Sequence, residues 1–228
     1  MSKRVAILQS SYIPWKGYFD LIRRVDEFIL YDDAQYTKRD WRNRNQIKTK
    51  DGLLWLSIPV EVKGKYTQAI KDVSISDPSW STQHFKTIAA AYARAEHFKE
   101  YRDAVEDLYR GATSTRLSDV NRRFIEGLAK IFGITTKLSW SMDYELPEGR
   151  VERLVAMCRQ AGATSYLSGP AARDYISQQP ELFADAGIEV EYMDYSSYPE
   201  YPQLYPPFEH HVSVIDLLLN AGPSAFPS

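Results

Sequence analysis

The chain opens with a short apolar run, Arg4-Val5-Ala6-Ile7-Leu8-Gln9, closed by Ser10-Ser11 and Pro14, which predicts a strand. Residues 17–24 place Phe19, Leu21 and Ile22 at helical spacing, and residues 27–31 form a second short apolar run that stops at Asp32-Asp33. Strand, loop, helix and strand within about thirty residues predict a βαβ unit, so the two strands run parallel. Their carboxyl ends then share one rim of the sheet, where open α/β sheets bind ligands. A polar stretch, 34–50, precedes a strand at 53–59, and residues 70–75 alternate in the manner of another. Three helical stripes follow: Phe85, Ile88, Ala89 and Tyr92 in 81–93; Phe98, Tyr101, Val105 and Leu108 in 98–110; Leu117, Val120, Phe124, Leu128 and Ile131 in 116–132. They are expected to form a helical insertion, about 80–132, between two halves of one sheet. The α/β pattern resumes with a strand at 135–139, a helix from Val151, a strand at 165–167, a helix after Pro170 and a strand at 188–192. A Tyr/Pro segment, 194–208, leads to a last helix at 214–220 that Gly222-Pro223 stops. The expectation is one α/β domain over 1–228, with a mostly parallel sheet and flanking helices.

Composition changes this picture in three places. The formal net charge of −2 gives no global attraction to nucleic acid or to an anionic membrane. The single cysteine, Cys158, rules out an intramolecular disulfide and lies on the stripe Val151, Leu154, Val155, Cys158, which marks it as a small core residue. The start shows no signal-cleavage pattern, and no apolar stretch nears the roughly 20 residues that span a bilayer, so a cytoplasmic protein without membrane insertion is expected. The 16 Tyr and 5 Trp, many beside Pro, Gly, Asp or Asn, suit either a ligand-lining surface or loop packing.

Four segments carry candidate chemistry. The loop 9–18 joins the first strand to the first helix; Gln9 offers an amide at the strand end, Tyr12 a ring, and Gly17 close backbone approach to a phosphate or carboxylate. The second runs from Tyr31-Asp32-Asp33-Ala34-Gln35-Tyr36 to Trp41-Arg42-Asn43-Arg44-Asn45. One of its two adjacent carboxylates, Asp32, would face a common ligand, and its arginines could grip a diphosphate or simply form a solvated loop. In the third, Tyr166 to Tyr175, a strand ends, Ser168 or Gly169 caps a helix and Pro170 suits its first turn, an anion-binding geometry or capping alone. The fourth is Tyr195 to His211, where Tyr198 could supply a stacking surface, Gln203 a polar contact, and His210 a general base, since imidazole titrates near neutrality. Ser213 and Asp216 read as a capping box. The four scattered His and lone Cys lack zinc-site spacing, and there is no P-loop, G-x-S-x-G or G-x-G-x-x-G.

Across residues 9–22, 28–45, 80–92 and 151–220, above all Tyr195-Ser196-Ser197-Tyr198-Pro199-Glu200-Tyr201-Pro202-Gln203-Leu204, the sequence resembles the WbqC-like family. His211 stands where that family is expected to carry a small residue, which favours His210 of the pair. The resemblance implies a place in bacterial O-antigen or related polysaccharide synthesis, with transfer of an aminoacyl group such as glycine to an amino sugar. The implied partners are a nucleotide-linked amino sugar and a small acyl or amino-acid donor, with activation by ATP or in the donor itself, and neither ATP nor a metal ion is fixed by the sequence. In this reading His210 and Asp32 are catalytic. Gln9, Tyr12, Gly17, Tyr36, Trp41, Asn43, Arg44, Asn45, Ser168, Gly169, Tyr198 and Gln203 bind substrate. The start also has the outline of nucleotidylyltransferase-like enzymes, although the paired histidines of their first loop are missing here. A non-catalytic glycan or nucleotide-sugar binding accessory is the second reading, and a binder of single-stranded nucleic acid through 38–50 the third.

Overall fold

The computed structural model describes residues 2–226. In chain order its elements are β1 (Arg4–Leu8), α1 (Lys16–Arg23), β2 (Glu27–Leu30), β3 (Arg44–Thr49), β4 (Gly52–Ser57), α2 (Trp80–Tyr92), α3 (Phe98–Arg110) and α4 (Leu117–Ile131). They continue with β5 (Lys137–Trp140), α5 (Arg150–Gln160), β6 (Ser165–Ser168), α6 (Arg173–Ile176), α7 (Pro180–Asp185), β7 (Glu189–Tyr192) and α8 (Val214–Ala221). The chain divides into two compact units, one of residues 2–9, 17–33 and 134–197 and one of residues 10–16, 34–133 and 198–226. No helix among the described residues is long and apolar enough to cross a membrane.

The first unit holds a five-stranded sheet of order β5-β2-β1-β6-β7, parallel throughout. The α/β fold with a parallel sheet and flanking helices is thus the one the apolar runs predict. Successive strand residues face opposite sides. Val5, Ile7 and Ile29 pack with Val151, Leu154 and Cys158 of α5, while the adjacent Phe28 meets Tyr18 of α1 at 5.3 Å between ring centroids. Cys158 is fully buried, and burial pushes its thiol up to about 12, so it packs as a small apolar group. Pro180 opens the short α7, an element with too little apolar spacing to be visible in the sequence.

Glu27, within β2, is the one carboxylate in this sheet's interior. Its oxygens accept from Lys3 Nζ at 2.7 Å, Lys137 Nζ at 2.9 Å, Ser139 Oγ at 2.7 Å and the Tyr144 hydroxyl at 2.7 Å. Burial alone would raise its pKa, but these donors outweigh burial and hold it down to about 2 from 4.5. A depressed carboxylate contributes stability above its unfolded pKa and loses it as pH falls through the folded one. Stability should therefore decline between about 4.5 and about 2. Glu27→Gln should lower stability at neutral pH by about 2 kcal/mol, discounted because both lysines are partly exposed, and flatten that acid decline. Urea melts of both proteins across the acid range check this; equal acid sensitivity would contradict it.

The second unit holds the β3–β4 hairpin and helices α2, α3, α4 and α8. Residues 44–49 are a strand and not open loop. Only Ile47 is apolar there, because Asn45 and Lys48 fill the other buried positions. The hairpin turn was written in Asp51-Gly52, whose glycine has φ 106°, beside the pair Thr49↔Gly52. Residues 70–75 form a 3-10 turn at Ile70–Asp72 followed by isolated bridges, not a strand. Ile70 and Val73 are both buried, which suits an i, i+3 turn as well as it suits alternation. Helix α8 is buried on every side from Val214 to Asn220, so its two polar residues four apart, Asp216 and Asn220, must find partners inside.

Candidate functional site

In the second unit, Asp216 is fully buried and its carboxylate gathers three donors: Tyr92 OH at 2.7 Å on Oδ2, and Tyr201 OH and Gln203 Nε2, each at 2.7 Å, on Oδ1. Burial still pushes its pKa above the ordinary carboxylate value. The Tyr92 hydroxyl also accepts from the Lys48 amide at 3.1 Å, which ties the group to β3. Lys48 Nζ donates to Gln203 Oε1 at 2.7 Å and to the Pro207 carbonyl, and burial lowers its pKa. Gln203 completes the lattice by accepting from Glu209 N at 2.9 Å.

Beside this lattice Lys16, the first residue of α1, is 2% exposed. Its ammonium position lies 5.1 Å from the Tyr201 ring centre and 5.4 Å from those of Tyr198 and Phe208, a three-ring enclosure. Nζ is 3.2 Å from His210 Nδ1 and donates to the Pro199 carbonyl at 3.3 Å. No carboxylate is within ion-pair distance of it among the described residues, and burial lowers its pKa from 10.5. His210 packs edge-on against Phe208 at 4.6 Å and remains half-buried. Burial, then the neighbouring Lys16, lowers its pKa from 6.5. A buried amine thus touches a more accessible imidazole. Trp15 covers the next position, at 5.3 Å from the His211 ring and 6.0 Å from Tyr198.

The structure brings His210, Gln203 and Tyr198 of the expected site together and adds Lys16, Lys48, Tyr92, Tyr201 and Asp216. Asp216 is no capping-box member: Ser213 caps α8 by accepting from Ile215 N, while Asp216 turns inward to the tyrosines. The signal was a lone carboxylate in the apolar run Val214–Leu219. Lys16 and Lys48 gave none, since a lysine's burial is decided by remote rings and carbonyls.

The other expected residues separate. Tyr12 is a core residue, its hydroxyl 2.9 Å from His84 Nδ1 and 2.7 Å from Tyr109 OH and its ring edge-on to Trp80 and Phe124, so it offers no ligand surface. Burial holds His84 at about 4. Asn45 donates to the Tyr12 and Ile13 carbonyls, fixing a loop in which Ile13 has φ 37°. Tyr36 donates to Asn43 at 2.9 Å, and Asn43 to Ile58 O at 2.8 Å. Arg42, a candidate diphosphate ligand, is buried with its guanidinium on the Ser10 carbonyl. By contrast Trp41 and Trp55 are 40% exposed with centroids 5.4 Å apart, and the Arg44 guanidinium lies 4.1 Å over Trp55. Gln9, Gly17, Asp32, Ser168 and Gly169 belong to the first unit. Gln9 accepts from Tyr18 OH at 3.0 Å, Asp32 is fully buried, and Ser168 ends β6 with Gly169 capping the turn that Pro170 opens. Among the described residues no group of three or more His, Cys, Asp or Glu is placed to hold a metal ion.

The model of the WbqC-like protein family matches residues 9–227. The uncharacterized protein Rv1507c of Mycobacterium tuberculosis is 48% identical over 223 residues, 98% of this chain and 96% of that protein. No solved structure matches the chain.

Proposed function

The chain belongs to the WbqC-like protein family, and from that premise we propose that it is an enzyme of bacterial surface-polysaccharide synthesis that transfers an aminoacyl group, such as glycyl, to the amine of a nucleotide-linked amino sugar. The observation that supports this reading is the buried Lys16 amine held against the half-buried His210 imidazole inside three aromatic rings. Attack of a sugar amine on the carbonyl of an activated glycyl donor forms the C–N bond and breaks the bond to the donor's leaving group, AMP where ATP has activated glycine, and it needs a group that removes the amine proton.

The pair can do this as a unit. When Lys16 is an ammonium it donates to Nδ1, so a neutral His210 carries its proton on Nε2 and cannot act as a base there. When Lys16 is neutral it accepts from Nδ1–H, and Nε2 presents its lone pair. The amine proton then passes to Nε2 while the Nδ1 proton moves to Lys16, leaving a neutral imidazole and an ammonium. Burial lowers the lysine pKa and so raises the share of the basic form near neutrality. The Tyr198 ring and Gln203 would border the acceptor, and the carboxylate of Asp216, buried and hydrogen-bonded, would hold Tyr201 in the enclosure.

The reading is tested by incubating the protein with a nucleotide-linked amino sugar, glycine and ATP, or with a preactivated glycyl donor. A product heavier by one glycyl residue in the mass spectrum supports it. A second reading, a non-catalytic glycan or nucleotide-sugar binding accessory of the same pathway, is favoured by the exposed Trp41–Trp55 pair with Arg44. Binding heat with no new mass peak across the panel would select that reading.

A further inference from the structure

Strand order in the first unit reverses at β1: β2 and β5 lie to one side, β6 and β7 to the other. Open α/β sheets bind ligands outside the carboxyl strand ends at such a reversal. Helix α5 is the crossover from β5 to β6, and its packing on Val5 and Ile7 of β1 puts its first turn over that rim. Gly149, at φ 95°, makes the bend that starts it; a Cβ there would collide with Glu152.

Three arginines and three tyrosines meet on this rim. Arg150 lies 3.6 Å over the Tyr175 ring and Arg173 lies 4.7 Å over Tyr192, the last residue of β7. Arg153, one turn after Arg150, donates Nε to the Pro147 carbonyl at 2.9 Å and has Tyr31, the residue after β2, as its main electrostatic partner. None of the three guanidiniums is in an ion pair among the described residues. The carboxylates acting on Arg153 are Asp33 and Glu148, and Asp33 is already engaged by the Ser141 hydroxyl at 2.6 Å. Two of the guanidiniums are thus stacked on tyrosine rings, one of them at the end of β7, and the third lies beside the tyrosine that follows β2. A guanidinium stacked by its face keeps N–H groups along its edge for oxyanions, and the rings supply a surface for a planar base.

We infer that this rim is a nucleotide-binding site, in which Arg150, Arg153 and Arg173 take the phosphates of a nucleoside diphosphate and Tyr192 stacks its base. This inference does not rest on the transfer reading, because binding alone reads it. Calorimetric titration of the full chain with ADP, UDP and inorganic pyrophosphate tests it, beside the variant Arg150→Gln/Arg173→Gln. Both arginines are exposed, so the variant should melt as the parent does. Tyr192→Leu, which removes a ring and no charge, is the second variant.

The expected result is binding of ADP or UDP that weakens at least tenfold in the double arginine variant, falls with added salt, and weakens in Tyr192→Leu. Failure of both nucleotides to bind overturns the inference. So does equal affinity in the arginine variant. Pyrophosphate bound as tightly as either nucleotide overturns it too, since the base would then contribute nothing. A failed transfer assay with intact nucleotide binding would leave this site standing and remove only the transfer reading.

Discussion

Replacing His210 by alanine should lower kcat/KM for aminoacyl transfer by about 10²- to 10⁴-fold, the range for loss of a positioned proton acceptor. The imidazole is half-buried and meets Lys16 through Nδ1, so its removal should leave the fold in place. Lys16→Met should also slow the reaction, and its pH profile should separate a relay role from packing. In the parent, the basic form of the pair requires an uncharged Lys16, so activity rises with pH through a lysine pKa lowered from 10.5. In Lys16→Met the imidazole acts alone, and the rise should shift down toward 6.5, the ordinary histidine value. Rate against pH for the two proteins measures this. An unchanged profile with a uniformly lower rate would leave Lys16 as packing only.

Asp216→Ala should cost about 3–5 kcal/mol of folding stability, the second large effect. The carboxylate is fully buried and satisfies the Tyr92 hydroxyl, the Tyr201 hydroxyl and the Gln203 amide, each at 2.7 Å. Truncation leaves the fully buried Tyr92 hydroxyl and the half-buried Tyr201 hydroxyl without this acceptor, leaves the Gln203 amide its bond to the Glu209 carbonyl, and opens a void in the packed α8 face. Asp216→Asn keeps an oxygen acceptor and the volume, and either hydroxyl can rotate to accept from the new amide, so about 1–2 kcal/mol is expected. Guanidinium unfolding curves give both numbers. Equal losses for the two variants would mean that charge, and not hydrogen-bond satisfaction, holds the site.

The sheet was legible because β1 and β2 are short apolar runs bounded by turn residues, and their parallel pairing followed from the helix between them. Helices α2, α3 and α4 were legible from their stripes. The buried hairpin strand β3 was hidden because a strand whose inward positions are Asn45, Ile47 and Lys48 has no apolar period. The same physics hid much of the candidate site. Lys16 and Lys48 read as surface cations until rings and carbonyls distant in sequence close around them, and Asp216 satisfied a local capping pattern that its partners override. His210, Gln203 and Tyr198 were visible because the Tyr/Pro segment concentrates polar and aromatic groups where loop packing alone does not demand them. Tyr12 shows the opposite error, since loop position suggested exposure and the T-shaped ring contacts bury it.

The proton relay depends on Lys16 standing against Nδ1 of His210, where its ammonium form opposes protonation of the imidazole and its neutral form takes the Nδ1 proton. A ¹⁵N-histidine NMR titration of the parent and of Lys16→Met follows that imidazole directly. His210 should titrate below 6.5 in the parent, and its pKa should rise in Lys16→Met, where the neighbouring cation is gone. An imidazole that titrates at or above 6.5 in the parent, unmoved by the lysine substitution, would contradict the relay.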